Sequence, residues 1–362
     1  MDFFAQQERA RRRSRWFLLW YLVAGVGVIA SYCLAAALGY AFLAEAGALP
    51  VSGDALLQWH GLWGTYWQAL TRVPPRFLAA IAALVGAPML VVSAARLWRL
   101  REGGAAVADL LGARYLAADR CTAEERRLLN VVEEMAVASG IAVPPVYLLG
   151  REQGVNALAA GYSPNEAVIV VTRGAVEKLT REELQAAIAH EFSHILNGDM
   201  ALNMFLAGLL AGLTWVGRQG ERLAMASLAL RREAGDVRPG GDPFGMLFGT
   251  FLAYVGFPGG LAADAIRARI SRERELLADA ASVQLTRNPE GIAGALDSLL
   301  SLPAQTSVSA AHGGELAHMF FAPAVSRWWG FPSHPPIAER IRHACPAFRR
   351  DDYRARRYGR SR

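Results

Sequence analysis

Two histidines four residues apart with a glutamate beside the first, His190-Glu191-Phe192-Ser193-His194, carry the clearest chemistry in this chain. On an α-helix, positions i and i+4 share one face, so both imidazoles can turn a ring nitrogen toward a single ion. Glu191 lies about 100° further round the helix. There a carboxylate can take a proton from a water on that ion without ligating it, the pattern of a zinc site that activates water. A lone histidine on a helix is more often a satisfied core or surface residue. With seven histidines in 362 residues, the pentapeptide by itself is a moderate signal. A second stretch, Ser271-Arg272-Glu273-Arg274-Glu275-Leu276-Leu277-Ala278-Asp279-Ala280, strengthens it. Glu275 and Asp279 are again i and i+4, so one carboxylate can complete a three-ligand set while the other orients a ligand imidazole from behind. Spacing leaves open which does which, and in isolation the pair would equally suit a solvated face bridged to Arg272 and Arg274. Three protein ligands and a water form the open arrangement of a catalytic site.

The helix under the motif is well signalled. Thr180-Arg181-Glu182-Glu183 reads as a capping box, Leu184, Ile188 and Ala189 form the apolar stripe, and Asn197-Gly198 weakens the helix. A second capping box, Thr122-Ala123-Glu124-Glu125, opens a helix to about Ser139, where Gly140 can end it. Pro144-Pro145 then leads into a strand through Leu149, and Ala167 to Thr172 is another. The expected fold is an α+β core, mainly helical with a small antiparallel or mixed sheet, joined to transmembrane helices.

Three strings, HEFSHILNGDM at 190–200, SRERELLADAASVQLTRNP at 271–289 and SHPPIAERI at 333–341, resemble in order and approximate separation the signature blocks of membrane-embedded zinc metallopeptidases of the HtpX and CAAX prenyl protease superfamily. The resemblance covers roughly residues 105 to 345. It implies a gluzincin site holding one Zn²⁺ on His190, His194 and Glu275, with Glu191 as general base and acid and Asp279 behind the ligands. It places His334 and Arg340 near the active site, as stabilisers of the tetrahedral oxyanion or of the ligand carboxylate. His334 also reads as a loop histidine before a rigid Pro-Pro turn. Gly154 to Gly161 resembles the family's Asn-Ala strand, the expected edge on which peptide pairs as an added strand, which would bring Asn156 and Ala157 to substrate. A turn-forming asparagine is the plainer reading of Asn156. The implied activity is hydrolysis of peptide bonds, with misfolded or damaged membrane proteins as the expected substrates. The alternatives are a CAAX-type processing protease and a non-catalytic, zinc-stabilised membrane scaffold.

Composition says where such an enzyme would work. Hydrophobic residues make up 53% of the chain. Trp16 to Ala44 and Phe77 to Ala95 contain no charge, and each is long enough to cross a bilayer as a helix. Arg9, Arg11, Arg12, Arg13 and Arg15 precede the first run and Arg96, Arg99 and Arg101 follow the second, so both flanks are expected in the cytoplasm, with the Trp-rich segment Glu45 to Arg76 outside. The expectation is a multi-pass protein of a bacterial-type inner membrane. It has an anchor at 1–102 (spans about 16–44 and 77–95), a protease domain at 103–345 and a basic tail at 346–362, with the N-terminus, active site and C-terminus cytoplasmic. Two further apolar runs, 200–217 and 243–263, either cross as a hairpin or pack against the membrane face. Arg218, Arg222, Arg231, Arg232 and Arg238 between them oppose an external connection. The tail is expected to be solvated or to rest on anionic headgroups. Membrane topology accounts for the net charge of +6, and no motif points to nucleic acid. Cys33, Cys121 and Cys345 have neither disulfide-scaffold nor zinc-ligand spacing. Residues 233–243, rich in Gly, Pro and Asp, read as a loop.

Overall fold

The structure, a computed structural model, describes residues 3–45, 73–233, 242–301, 306, 308–310, 313, 316–323 and 334–359. The expected external segment 45–76 and the loop 233–243 lie almost wholly outside the described residues. In chain order the elements are α1 (Phe3–Glu45), α2 (Pro75–Leu100), α3 (Gly104–Leu111), β1 (Arg114–Tyr115), α4 (Ala123–Ser139), β2 (Val146–Leu149), β3 (Ala157–Ala160), β4 (Val168–Thr172), α5 (Arg173–Lys178), α6 (Arg181–Asn197), α7 (Asp199–Leu213), α8 (Trp215–Glu233), α9 (Pro243–Thr286), α10 (Pro289–Ser301), α11 (Ile337–Ala344) and α12 (Arg350–Gly359). They form two compact units, residues 1–96 with 209–263 and residues 97–208 with 264–362; α2, α7 and α9 contribute to both.

Among the described residues the first unit is almost entirely helical. Leu19–Leu43, Pro75–Leu100 and the apolar part of Pro243–Thr286 are long and apolar enough to cross a membrane, matching the two runs expected near the N-terminus and one of the two further runs. The run 200–217 falls mainly on α7, whose 15 residues extend about 22 Å against the roughly 30 Å of a hydrocarbon core. Pairing α7 with the preceding α6, across an 86° bend, would raise the number of candidate spans to four. Small residues let these helices approach closely: a Cβ on Gly220 would stand 2.4 Å from the Ala253 nitrogen, and one on Gly249 2.6 Å from the Ala224 nitrogen. Hydrogen bonds between helices add to this packing, from the Tyr32 hydroxyl to the Leu252 carbonyl (2.7 Å) and from Ser93 Oγ to the Leu209 carbonyl (2.8 Å). Phe244, Leu247, Phe248, Phe251 and Tyr254 leave one stripe of α9 exposed and apolar, as a lipid-facing surface would be.

The second unit surrounds a four-stranded sheet of order β1-β2-β4-β3, with β2 and β4 parallel and the two edge strands antiparallel to their neighbours. Alternation along β4 sends Ile169 and Val171 to one face and Val168 and Val170 to the other. On the first face they meet Leu128, Val132 and Met135 of α4, Leu184, Ile188, Phe192 and Ile195 of α6, and Leu296 of α10. On the second they meet Val107, Leu110 and Leu111 of α3, with Met319 and Phe320. The sheet is thus buried on both sides, which is why its strands read as apolar runs.

Two features depart from expectation. The ligand helix and the apolar run 243–263 are one continuous 44-residue helix, α9, with Pro258 inside it. The basic tail is not free: residues 350–359 form α12, whose arginines are paired with Glu183, Glu290 and Asp297. An Arg/Asp-rich sequence read alone looks solvated, because its partners lie more than fifty residues away.

Candidate metal centre

The active-site helix is set at both ends by local chemistry. The Thr180 hydroxyl accepts the Glu183 N–H (3.2 Å) and the Glu183 carboxylate accepts the Thr180 N–H (2.8 Å), the reciprocal pair of a capping box. At the other end Gly198 adopts φ 70°, the left-handed conformation that stops a helix, and α7 leaves at 86°. Between these limits His190, Glu191 and His194 face the interior, all buried.

His190 and His194 come within 3.2 Å of each other through Nε2. Glu275 reaches in from α9, with one carboxylate oxygen 3.7 Å from His190 Nε2 and the other 3.6 Å from His194 Nε2. Ligand atoms about 2.05 Å from a tetrahedral ion stand about 3.3 Å apart, so these three fit one zinc-sized ion with modest tightening. His190, His194 and Glu275 form a buried metal-ligand cluster among the described residues.

Each imidazole is held from behind. His190 Nδ1 donates to Asp279 (2.9 Å) and His194 Nδ1 to Asp199 (3.0 Å), which leaves both Nε2 lone pairs for a metal. Each of these carboxylates is gripped in turn by an arginine. Arg340, wholly buried, places two hydrogen bonds of 2.8 Å on Asp279, a third on the Phe321 carbonyl and a contact of 3.3 Å on Glu275. Arg274 contacts Asp199 at 2.8 Å. Asp199 and Arg274 were missed by sequence reasoning. The available signal was an acid five residues past the second histidine, beyond a glycine that turns the chain back.

Glu191 is buried, and neither of its carboxylate oxygens makes a well-formed hydrogen bond among the described residues. Burial pushes its carboxyl up to about 7, against the pull of His194. A buried carboxylate held only by a weak contact to the Ala159 backbone is costly, so its position beside the cluster suits a group that acts on a bound water.

The remaining expected residues fall into place differently. His334 is buried, donates from Nε2 to the Phe320 carbonyl (2.7 Å) and stands 3.8 Å from Glu275. Arg340, expected to stabilise the oxyanion or the ligand carboxylate, gives its hydrogen bonds to Asp279 and the Phe321 carbonyl and reaches Glu275 by the 3.3 Å contact. Asn156 and Ala157, expected at the substrate, lie on and beside β3, where Asn156 is buried. Asn156 Nδ2 donates to the Thr306 and Ala322 carbonyls, while Oδ1 accepts the N–H groups of Ala322 and Ala157. All four of its side-chain bonds are used. The Ala157 carbonyl accepts the Phe321 N–H (2.8 Å). Asn156 braces the 320–322 segment against β3, and Phe321 then lies edge-on to His190 with ring centroids 5.0 Å apart.

A model of peptidase family M48 matches residues 122–345. The chain is 37% identical over 233 residues to a protease HtpX homolog of Caldanaerobacter subterraneus subsp. tengcongensis, covering 59% of this chain and 70% of the relative. It is 36% identical over 240 residues to a protease HtpX homolog of Streptococcus pneumoniae, covering 65% and 77%. Among solved structures, the crystal structure of S. mikatae Ste24p is similar at a TM-score of 0.38 and 18% identity, over 75% of this chain and 64% of that one. The matched region runs from the capping residue of α4 to the end of α11 and so contains the whole cluster. The chain belongs to peptidase family M48 and is a membrane-bound, HtpX-like metalloprotease.

Proposed function

We propose that the protein is a zinc-dependent endopeptidase of the cytoplasmic membrane, with His190, His194 and Glu275 as metal ligands and Glu191 as general base and acid. One observation carries this reading: a buried carboxylate that makes no well-formed hydrogen bond among the described residues, beside three converging ligand atoms, two of them imidazole nitrogens oriented from behind. A two-histidine, one-carboxylate donor set suits zinc, which when bound polarises the scissile carbonyl and acidifies water. Glu191 takes the proton of the attacking water and hands it to the leaving nitrogen. His334 opposes charge developing on the carbonyl oxygen, and Asp279, Asp199, Arg340 and Arg274 keep the ligands in register.

For substrate, we infer misfolded or damaged membrane proteins. The candidate spans and the similarity to protease HtpX homologs support this, and the arginines flanking the first two apolar runs support a cytoplasmic site. The test is Glu191→Gln. It should retain about one zinc per chain and lose roughly 10²–10⁴-fold in turnover of a peptide or casein substrate. Proteomic comparison of membranes carrying the wild type and the variant should then show intact membrane proteins accumulating with the variant. A variant that cleaves at the wild-type rate ends the assignment of Glu191. A catalytically dead variant whose membranes show no accumulation ends the substrate assignment.

A further inference from the structure

α12 lies beyond the last residue matched by the family domain, yet it contacts the start of the active-site helix. Arg350, Tyr353, Arg354 and Arg357 fall at i, i+3, i+4 and i+7, one face of a helix. That face meets a complementary stripe on α10 made of Glu290, Gly294 and Asp297. Buried Asp297 takes both Arg350 and Arg354, the second at 2.7 Å, and Glu290 takes Arg356 at 3.0 Å from the stripe's other end. Gly294 is a slot: a Cβ there would stand 2.1 Å from the Tyr353 hydroxyl oxygen, so a side chain at this position would bar the tyrosine.

Through the slot Tyr353 reaches Glu183, the third residue of α6. The Tyr353 hydroxyl donates to one Glu183 oxygen (2.8 Å), and Arg357 donates to the other (2.8 Å) and to the Lys178 carbonyl (2.7 Å). Glu183 is fully buried and is the same carboxylate that caps Thr180. Half of the capping box of the active-site helix is therefore held from the C-terminal helix. His190 lies seven residues further on, about 10 Å along a rigid helix. A metal site tolerates displacements of only a few tenths of an ångström.

We propose that α12 is a C-terminal strap and that Tyr353 and Arg357 are positioning residues, which act through Glu183 to fix the register of α6 and hence of His190 and Glu191. The proposal rests on α6 being the metal-binding helix, and metal binding by the wild-type chain tests that premise separately.

The experiment uses the full-length, detergent-solubilised protein. Arg357→Ala, Arg357→Lys, Tyr353→Phe and Gly294→Ala are compared with the wild type well below every melting temperature. Gly294→Ala should displace Tyr353 while leaving every ionic partner in place. Three quantities are read: zinc affinity by competition with a chromogenic chelator, the visible spectrum of the Co²⁺-substituted protein, and kcat and KM separately. The strap predicts that Arg357→Ala and Gly294→Ala weaken zinc binding several-fold, alter the Co²⁺ spectrum and lower kcat about tenfold with KM nearly constant, and that Arg357→Lys recovers most of the loss. If these variants melt earlier but keep zinc affinity, spectrum and kcat within twofold of wild type, α12 is packing alone and the proposal is wrong. Should Arg357→Ala not fold, Tyr353→Phe, which deletes one hydroxyl, and Gly294→Ala decide by the same readouts. A wild-type chain that binds no zinc overturns the metal reading and the strap together.

Discussion

Replacing Arg340 by methionine removes a buried guanidinium bonded on several sides. Arg340 is wholly buried and makes two hydrogen bonds of 2.8 Å to Asp279, one to the Phe321 carbonyl and a 3.3 Å contact to Glu275. Methionine fills much of the same volume but strands Asp279, which has no exposed surface, and leaves Glu275 without its arginine. Breaking a buried pair from one side costs about 3–5 kcal/mol. At about 2–4 °C per kcal/mol for a unit of this size, the melting temperature should fall by roughly 6–20 °C. A bound cation compensates Glu275 but not Asp279, so the fall should be larger in the metal-free protein than in the zinc-loaded one. The coupling is measured by a cycle with Asp279→Asn, since without the arginine a neutral asparagine removes the stranded charge. Melting curves at one scan rate for the wild type, both single variants and the double variant should give a coupling of about 1–3 kcal/mol. Additivity within about 0.5 kcal/mol would mean that Arg340 does not stabilise by holding Asp279, and the clamp would be refuted.

Three other outcomes follow from the site and its frame. Asp199→Asn should weaken zinc affinity by about 10–100-fold with little change in fold, because it loosens the His194 imidazole from behind; unchanged affinity in a chelator competition would remove Asp199 from the site. Because burial raises the Glu191 carboxyl to about 7 and the base acts deprotonated, kcat/KM should climb as pH rises and level off, with a midpoint at or below about 7 once the cation's charge pulls the carboxyl down. Activity that instead increased on acidification below that midpoint would rule out Glu191 as the base. Gly220→Leu should disrupt the α8–α9 contact, where even a Cβ would stand 2.4 Å from the Ala253 nitrogen, and lower the yield of folded protein from membranes; a normal yield and melting temperature would contradict that packing.

Local chemistry made much of the molecule legible. Two capping boxes, at Thr122 and Thr180, and two left-handed glycines, Gly140 and Gly198, bound α4 and α6 as expected, because such signals act within a turn of the residues that carry them. The strands at 146–149 and 168–172 were readable as apolar runs. The ligand set was readable because i, i+4 spacing on two helices is a one-dimensional pattern with a three-dimensional meaning. The uncharged runs before residue 100 announced their helices by length alone.

What the linear order conceals is pairing between distant segments, which depends on geometry that no local propensity encodes. The Asn156 amide bonds Thr306 and Ala322, about 150 residues away, a pairing that nothing near it in sequence announces. Asp199 was passed over in the sequence, yet it holds His194. The tail looked free because the acids that fix its arginines, Glu183, Glu290 and Asp297, belong to two other helices. From its sequence alone this protein could be read as a two-histidine, one-glutamate metal site with a base beside it, joined to membrane helices. Only the tertiary structure brings Glu275 to the two Nε2 atoms and sets Asp279 behind His190, because that arrangement depends on where Arg340 and the 320–322 segment are brought to rest.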